Sequence, residues 1–474
     1  MTERAAPEQG ATERALEAAF AGATRYVQSL AERPVAARAG AGELLARLGG
    51  PLPDGPSDPA EVVAQLAELA DDGLVASAGP RYFGFVVGGG LPAALAADWL
   101  AATWDQNAGL FVLGPAAATV EEVAAGWLTD LLGLPSTVST GFVTGGQMAS
   151  FTGLAAARHH VLAAAGWDVE SDGLLGAPPV EVVVGAERHV TIDTALRFLG
   201  LGSGRPRVVP ADDQGRMDAT ALPEVLAACQ GPTIVCAQAG NVNTGAVDPL
   251  PAICAAAHDH DASWVHVDGA FGLWAAASPA RRHLVAGVDQ ADSVATDAHK
   301  WLNVPYDSGL VFVAHPEAHR AAFSTVAGYL TPGEAGERDP DAYTPEFSRR
   351  ARGFPVWAAL RSLGRSGVAA MVERGCAQAS RFATALGAAE GVEILNEVVL
   401  NQVLVRFPDP GGDHDGRTRE VVRRVQAGGT LWLSGTTWHG MAAMRISVSN
   451  WSTTDDDVDR SVAAILEATK EVDS

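Results

Sequence analysis

Asp268 and Lys300 stand 32 residues apart (300 − 268), in the segments WVHVDGA and DAHKW. A lysine amine can hold an aldehyde covalently, and a carboxylate can keep a pyridine nitrogen protonated so that the ring draws electrons; a pyridoxal-phosphate site needs both. Either residue alone reads more simply as a turn carboxylate or a solvated lysine. Their setting favours the joint reading. Trp264 to Val267 is an apolar, β-branched run typical of a buried strand. Asp268 is then expected at the strand's carboxyl end, the edge of an open α/β sheet where ligands bind. Ser293 to Thr296 and Gly309 to Val313 are further strand candidates, which places Lys300 on a turn between strands.

A coenzyme phosphate also needs a receptor, and a small-residue turn feeding a helix N-terminus supplies one through backbone N–H groups. Gly145-Gly146-Gln147-Met148, ahead of a helical pattern over Ala149 to His160, has that form, although taken singly a Gly-Gly turn is ordinary punctuation. No GxGxxG, GxxxxGK or GxSxG is present, so dinucleotide, nucleoside triphosphate and serine-hydrolase sites lack their motifs. His258-Asp259-His260-Asp261 resembles a metal cluster, but adjacent residues of one short segment seldom converge on one ion, and no metal is expected.

HVDGA followed by D-A-H-K-W resembles the group II pyridoxal-phosphate-dependent amino acid decarboxylases, which include aromatic amino acid, glutamate, histidine and diaminobutyrate decarboxylases. Pro80 to Phe85, Thr144 to Ala149, Glu187-Arg188-His189 and Ser348 to Arg352 are similar to further family segments, in family order. The resemblance implies Lys300 as the coenzyme lysine, Asp268 as the partner of the ring nitrogen, and His189 stacked on the ring. It also implies Gly146, Gln147, Met148 and His299 around the phosphate, with Ala270 and Asn243 beside the coenzyme. Lys300, His189 and Tyr343 are the catalytic candidates, Tyr343 standing for a loop tyrosine that assists the final protonation in the family. Many relatives carry Asn three residues before the lysine, whereas this chain has Asp297. A carboxylate there would repel the phosphate unless it points away, pairs with a cation, or marks altered phosphate contacts.

The implied reaction is decarboxylation of an L-amino acid. Aldehyde synthesis, carbon–carbon lysis and transamination are alternatives within the coenzyme class, and a cofactor-free dimeric binding protein of the same fold is one outside it. Tyr82, Phe83, Phe85, Trp104, Phe111 and Leu113 fall in pocket-lining segments of the family and favour an aromatic or apolar substrate side chain, ordinary core being their simpler account. Arg445 is a candidate for binding a carboxylate, or simply an exposed strand arginine.

These residues require a scaffold. Over 474 residues, 47% hydrophobic and 19% charged, helical patterns alternate with short β-branched runs from about 81 to 320, which predicts a mostly parallel sheet covered on both faces. The fold class is α/β, and the resemblance specifies fold type I: a helical N-terminal arm (1–80), a coenzyme-binding large domain (81–335), then a mobile loop and a small α+β domain (336–474). The expected loop spans Gly328 to Arg352, and residues 1 to 11 read as disordered. Homodimerisation follows from the resemblance. A net charge of −23 excludes nucleic acid and anionic membranes as partners and favours a small amino acid substrate. Four unpaired cysteines and no apolar leader imply a cytoplasmic protein.

Overall fold

The computed structural model describes residues 10–324 and 337–473. Its strands are β1 (Tyr82–Phe83), β2 (Ser139–Val143), β3 (Glu181–Gly185), β4 (Arg207–Val209), β5 (Thr233–Gln238), β6 (Ser263–Asp268), β7 (Ser293–Asp297), β8 (Gly309–Val313), β9 (Glu393–Ile394), β10 (Gln402–Arg406), β11 (Trp432–Trp438) and β12 (Met441–Ser447). Seven of them form one sheet in the order β2-β8-β7-β6-β5-β3-β4. β8 is antiparallel to both of its neighbours, and the remaining pairings are parallel, so β8 alone opposes the other six. β5, β7 and β8 are buried along their whole length, as continuous apolar runs must be when helices cover both faces. On one face, helix Gly146–Ala164 packs Leu154 and Val161 among Ile234, Trp264 and Val311. The opposite face packs against helices Pro115–Leu132, Leu250–His258 and the first half of Gly353–Gly387.

The second sheet, β1-β11-β12-β10-β9, shares a core of Phe83, Phe382, Val403, Leu433, Met444 and Ile465. β1 pairs with β11 in parallel, and Phe83 meets Phe382 edge-on at 5.0 Å. The chain therefore leaves the arm into the small sheet, and only reaches the large sheet at Ser139. Residues 82–83, expected with the large domain, belong to the other one.

β2 was not expected from its sequence, because STGFV mixes hydroxyl residues and glycine; pairing with β8 is what buries it. In the arm, Ala11–Ser29 and Pro59–Ala70 are helices, the latter capped by Asp58, whose carboxylate accepts from the N–H groups of Ala60 and Glu61. A third arm helix, Ala41–Leu48, was not expected, and Ala11, placed in the disordered N-terminus, begins a helix. Of the expected Gly328–Arg352 loop, residues 328–336 lie outside the described residues, and the remainder includes a short helical turn at Pro340–Tyr343. Among the described residues no helix is long and apolar enough to cross a membrane.

Candidate active site

Asp268 and Asp297 are the last residues of β6 and β7, adjacent parallel strands ending at the same sheet edge. The Asp268 carboxylate is buried and accepts from the Ala270 N–H at 3.1 Å. The Ala270 carbonyl in turn accepts from the Asp297 N–H at 2.9 Å, strapping the two strand ends together. Three residues on, the Lys300 Nζ lies 2.9 Å from Asp297 Oδ2. His299 Nδ1 accepts the Ser308 N–H at 3.2 Å, which leaves its Nε2–H facing Asp297 Oδ1 at 3.4 Å. The Gly146 N–H, in the first turn of helix Gly146–Ala164, also donates to Asp297 Oδ1. The departure noticed in the sequence is thus resolved: Asp297 points into the site and pairs with a cation.

His189 caps the helix Val190–Phe198; its Nδ1 accepts the Thr191 N–H at 3.4 Å and lies 2.8 Å from the Thr191 hydroxyl. Burial pushes its pKa below the ordinary histidine value, the Asp268 carboxylate opposes this, and Lys300 and Arg445 push it down further. The ring is therefore neutral at pH 7. His299 is shifted down in the same way, by burial first, against the pull of Asp297. A crevice at the ends of β3, β5 and β6 is lined by Glu187, Arg188, His189, Gln238, Asp248 and Asp268. Asp248 is buried there and accepts from the Met217 and Gln238 N–H groups, each at 2.7 Å; burial raises its pKa to about 6.

The remaining expected residues divide. Gln147 and Met148 follow Gly146 in the first helical turn, where backbone N–H groups have no intrahelical acceptor. Asn243 is turned toward the small domain, its Oδ1 accepting from the Thr436 hydroxyl at 2.9 Å. Tyr343 is set apart, because its ring packs edge-on to His319 at 5.3 Å and under the Arg338 guanidinium at 4.6 Å. Its backbone carbonyl accepts from His319 Nε2 at 3.1 Å, and a Cβ at Gly141 of β2 would lie 2.4 Å from that carbonyl oxygen, so the residue sits beside β2.

Two residues were under-read in the sequence. Arg445, on β12, is only 8% exposed, and its Nε has no hydrogen-bond acceptor among the described residues. The exposed-arginine account therefore fails. Asn303 holds the Lys300 turn: its Oδ1 accepts from the Gly89 N–H (2.6 Å) and the Trp451 N–H (2.9 Å), and its Nδ2 donates to the Trp301 and Ser449 carbonyls. No sequence signal distinguishes it from any loop asparagine. The expected aromatic lining also separates, Tyr82 and Phe83 being buried while Phe85 is 55% exposed and stacked on Trp432 at 5.7 Å. Gly88 brings this segment onto the Lys300 turn through a bond from its N–H to the His299 carbonyl (3.3 Å), and a Cβ at Gly88 would lie 2.0 Å from the Lys300 carbonyl oxygen.

An amine, a sheet-edge carboxylate, a neutral flat ring and a helix N-terminus share one edge, the donor set that pyridoxal phosphate requires. A Cβ at Gly146 would come within 2.6 Å of Asp297 Oδ2, so the glycine is needed for the close approach at the phosphate end. Among the described residues no group of three or more His, Cys, Asp or Glu side chains is arranged to hold a metal, and His258 pairs with Asp292 at 3.0 Å.

The sequence model described as pyridoxal-dependent decarboxylase conserved domain matches residues 43–407. An aromatic-L-amino-acid decarboxylase of Bacillus atrophaeus is 27% identical, the match covering 91% of this chain and 90% of that protein. A 4-hydroxyphenylacetaldehyde synthase of Rhodiola rosea is also 27% identical, over 87% of this chain and 85% of that one. A crystal structure of an Oryza sativa TDC with PLP and tryptamine shares the fold, at a TM-score of 0.91 and 24% identity over 99% of both chains. The chain belongs to the pyridoxal-dependent decarboxylase family, carboxy-lyases that work with pyridoxal phosphate.

Proposed function

We propose that this protein is a homodimeric, cytoplasmic decarboxylase of an aromatic L-amino acid. The observation that carries the reading is the convergence of Lys300, Asp268 and neutral His189 on one sheet edge, beside exposed aromatic rings. Phe85 stands on Trp432, and Tyr306 lies 4.3 Å from the His299 ring, next to Lys300. Flat apolar faces beside the reacting lysine suit an aromatic side chain.

Bound pyridoxal phosphate supplies the electron sink that lets the bond from Cα to the carboxylate break. Lys300 holds the coenzyme aldehyde and, once released, moves a proton at Nζ, with Asp297 beside it as counter-ion. Asp268 keeps a positive ring nitrogen paired. His189, uncharged, lies flat without adding a second positive charge near that nitrogen. Arg445, a buried cation with no acidic partner among the described residues, receives the substrate carboxylate. Tyr343 is held by His319, so the loop's protonating role falls to Tyr329, the other tyrosine of the expected segment, which lies outside the described residues.

The second reading, aldehyde formation, is favoured by the Rhodiola relative and separates by product. Purified enzyme with pyridoxal phosphate is expected to release carbon dioxide and the amine from one of phenylalanine, tyrosine, tryptophan or dihydroxyphenylalanine; release of the aldehyde instead would select the second reading. Lys300→Ala is expected to lose both turnover and the near-visible coenzyme band. Tyr343→Phe should keep amine production within a few-fold of wild type, whereas Tyr329→Phe should divert product toward aldehyde.

Support for the dimer comes from the arm, whose helices Ala11–Ser29 and Pro59–Ala70 bury none of their residues and leave Phe20 63% exposed. Cytoplasmic residence is supported by four buried free thiols.

A further inference from the structure

We infer that Asp297 is a built-in counter-anion at the phosphate end of the coenzyme site, which must leave the Gly146 N–H when the coenzyme phosphate arrives. The inference rests on the coenzyme site alone and is independent of which amino acid is used.

The Asp297 side chain is almost wholly buried and has three partners, the Lys300 ammonium at 2.9 Å, the His299 Nε2–H at 3.4 Å and the Gly146 N–H. The first is the coenzyme lysine itself and the second its neighbour in sequence. The third is one of the few free N–H donors at the start of helix Gly146–Ala164, and so one of the groups a phosphate must use. A carboxylate and a phosphate dianion cannot share that donor: they are like charges in a buried site, where repulsion is only weakly screened. The backbone does not move Asp297 out of reach, since its N–H is fixed to the Ala270 carbonyl and its own carbonyl accepts from Trp274 Nε1 at 3.0 Å. The carboxylate must instead rotate about its side-chain bonds toward Lys300 and His299. Part of the attraction between the phosphate and the helix N-terminus is consumed in displacing a resident anion. The chain should therefore prefer the phosphate ester of pyridoxal over pyridoxal itself by far less than a free helix N-terminus would allow.

The test compares pyridoxal phosphate with pyridoxal as ligands of the apo-enzyme, followed by the near-visible absorbance band and by tryptophan fluorescence. Both ligands offer the same aldehyde to Lys300 and the same ring to Asp268, and differ only at the phosphate. Asp297→Asn is expected to tighten pyridoxal phosphate by about tenfold or more, since one charge-assisted contact is gained and a like charge removed. Pyridoxal affinity should stay within about threefold. Weaker binding of pyridoxal phosphate in the variant, or an equal shift for both ligands, would overturn the inference. Asp297→Ser, which also removes the charge, carries the same comparison if the asparagine variant does not fold. The wild-type apo-enzyme gives a check that needs no variant: pyridoxal phosphate should bind within roughly a hundredfold of pyridoxal, whereas several uncontested charge-assisted hydrogen bonds would give on the order of a thousandfold or more. A wild-type ratio in the thousands overturns the inference. Failure of both ligands to bind any variant or the wild type would defeat the coenzyme site, and this inference with it.

Discussion

Arg445 is held at a cost. A buried guanidinium with no carboxylate partner among the described residues is poorly solvated, and burial pulls its pKa down to about 10. If the substrate carboxylate is its missing partner, Arg445→Met should raise KM by about tenfold or more. The same variant should stabilise the substrate-free protein by about 1–3 kcal/mol, the usual gain when an apolar side chain replaces a buried charge. Steady-state kinetics and urea denaturation of the one variant read both effects, and an arginine that is merely structural would give destabilisation with an unchanged KM. Much of this site was legible residue by residue, because Asp268, His189 and Lys300 carry chemistry in their identity and stand at strand ends. What was not legible is direction. Nothing in DAHK says that Asp297 turns inward onto Lys300 and Gly146, nor that Arg445 is buried. Tyr343 was matched to a loop role by position alone, and its packing under Arg338 could not be read from the loop's composition.

The Lys300 turn has little regular structure of its own, so its geometry depends on elements brought to it. Asn303 is the main tie, adopting φ +57°, a conformation that asparagine tolerates better than most residues, while bonding four backbone groups. Asn303→Ala leaves several of those groups buried without partners and should cost about 3 kcal/mol or more, at roughly 1–3 kcal/mol per orphaned group. Chemical denaturation of the holoenzyme measures the loss, and the coenzyme band should weaken with it, since Gly89 and Trp451 are tied to the turn through the same side chain. The basic run Ser348–Arg352 works on the same scale. Arg349 pairs with buried Glu121 at 2.8 Å, Arg350 with Asp98 at 2.8 Å and Arg352 with Asp307 at 2.7 Å, so helices Pro115–Leu132 and Pro92–Trp104 and the loop before β8 are stapled to one short segment of chain. Glu121→Ala would strand the Arg349 charge in the interior, and a loss of about 3–5 kcal/mol is expected. The strands read at Trp264 to Val267, Ser293 to Thr296 and Gly309 to Val313 were legible to within a residue at each end, because β-branched runs between turn residues leave few other readings. The exceptions, β1 and β2, take their strand character from a partner distant in sequence, and no local pattern carries that.

At the scale of the whole chain, the helical arm and the histidines report on different things. The arm's exposed apolar faces point to a second subunit, and sedimentation at micromolar concentration should give twice the chain mass. The histidines bear on acid stability. His266 lies inside β6, with Nδ1 2.8 Å from the Ser293 hydroxyl and Nε2 without a partner among the described residues; His319 bonds the Ser139 hydroxyl and the Tyr343 carbonyl. Burial drives both pKa values down to about 3. The unfolded chain, with histidine pKa values near 6.5, therefore binds more protons than the folded one below about pH 6.5. Their contribution to stability is complete above that pH and is lost as pH falls from 6.5 toward 3. Between about pH 7.5 and 5.5 the two together should remove roughly 3 kcal/mol. Asp248, raised to about 6, has the opposite sign: its folded form takes up a proton first, and it returns about 1 kcal/mol over the same interval. These three groups alone should contribute a loss near 2 kcal/mol to stability measured by urea unfolding across that range, and His160, His189 and His299, also shifted down, act in the same direction. His319→Asn should remove about half of the part that His266 and His319 contribute, whatever it does to stability at neutral pH. A slope unchanged by that variant would mean that His319 does not stay uncharged in the folded protein.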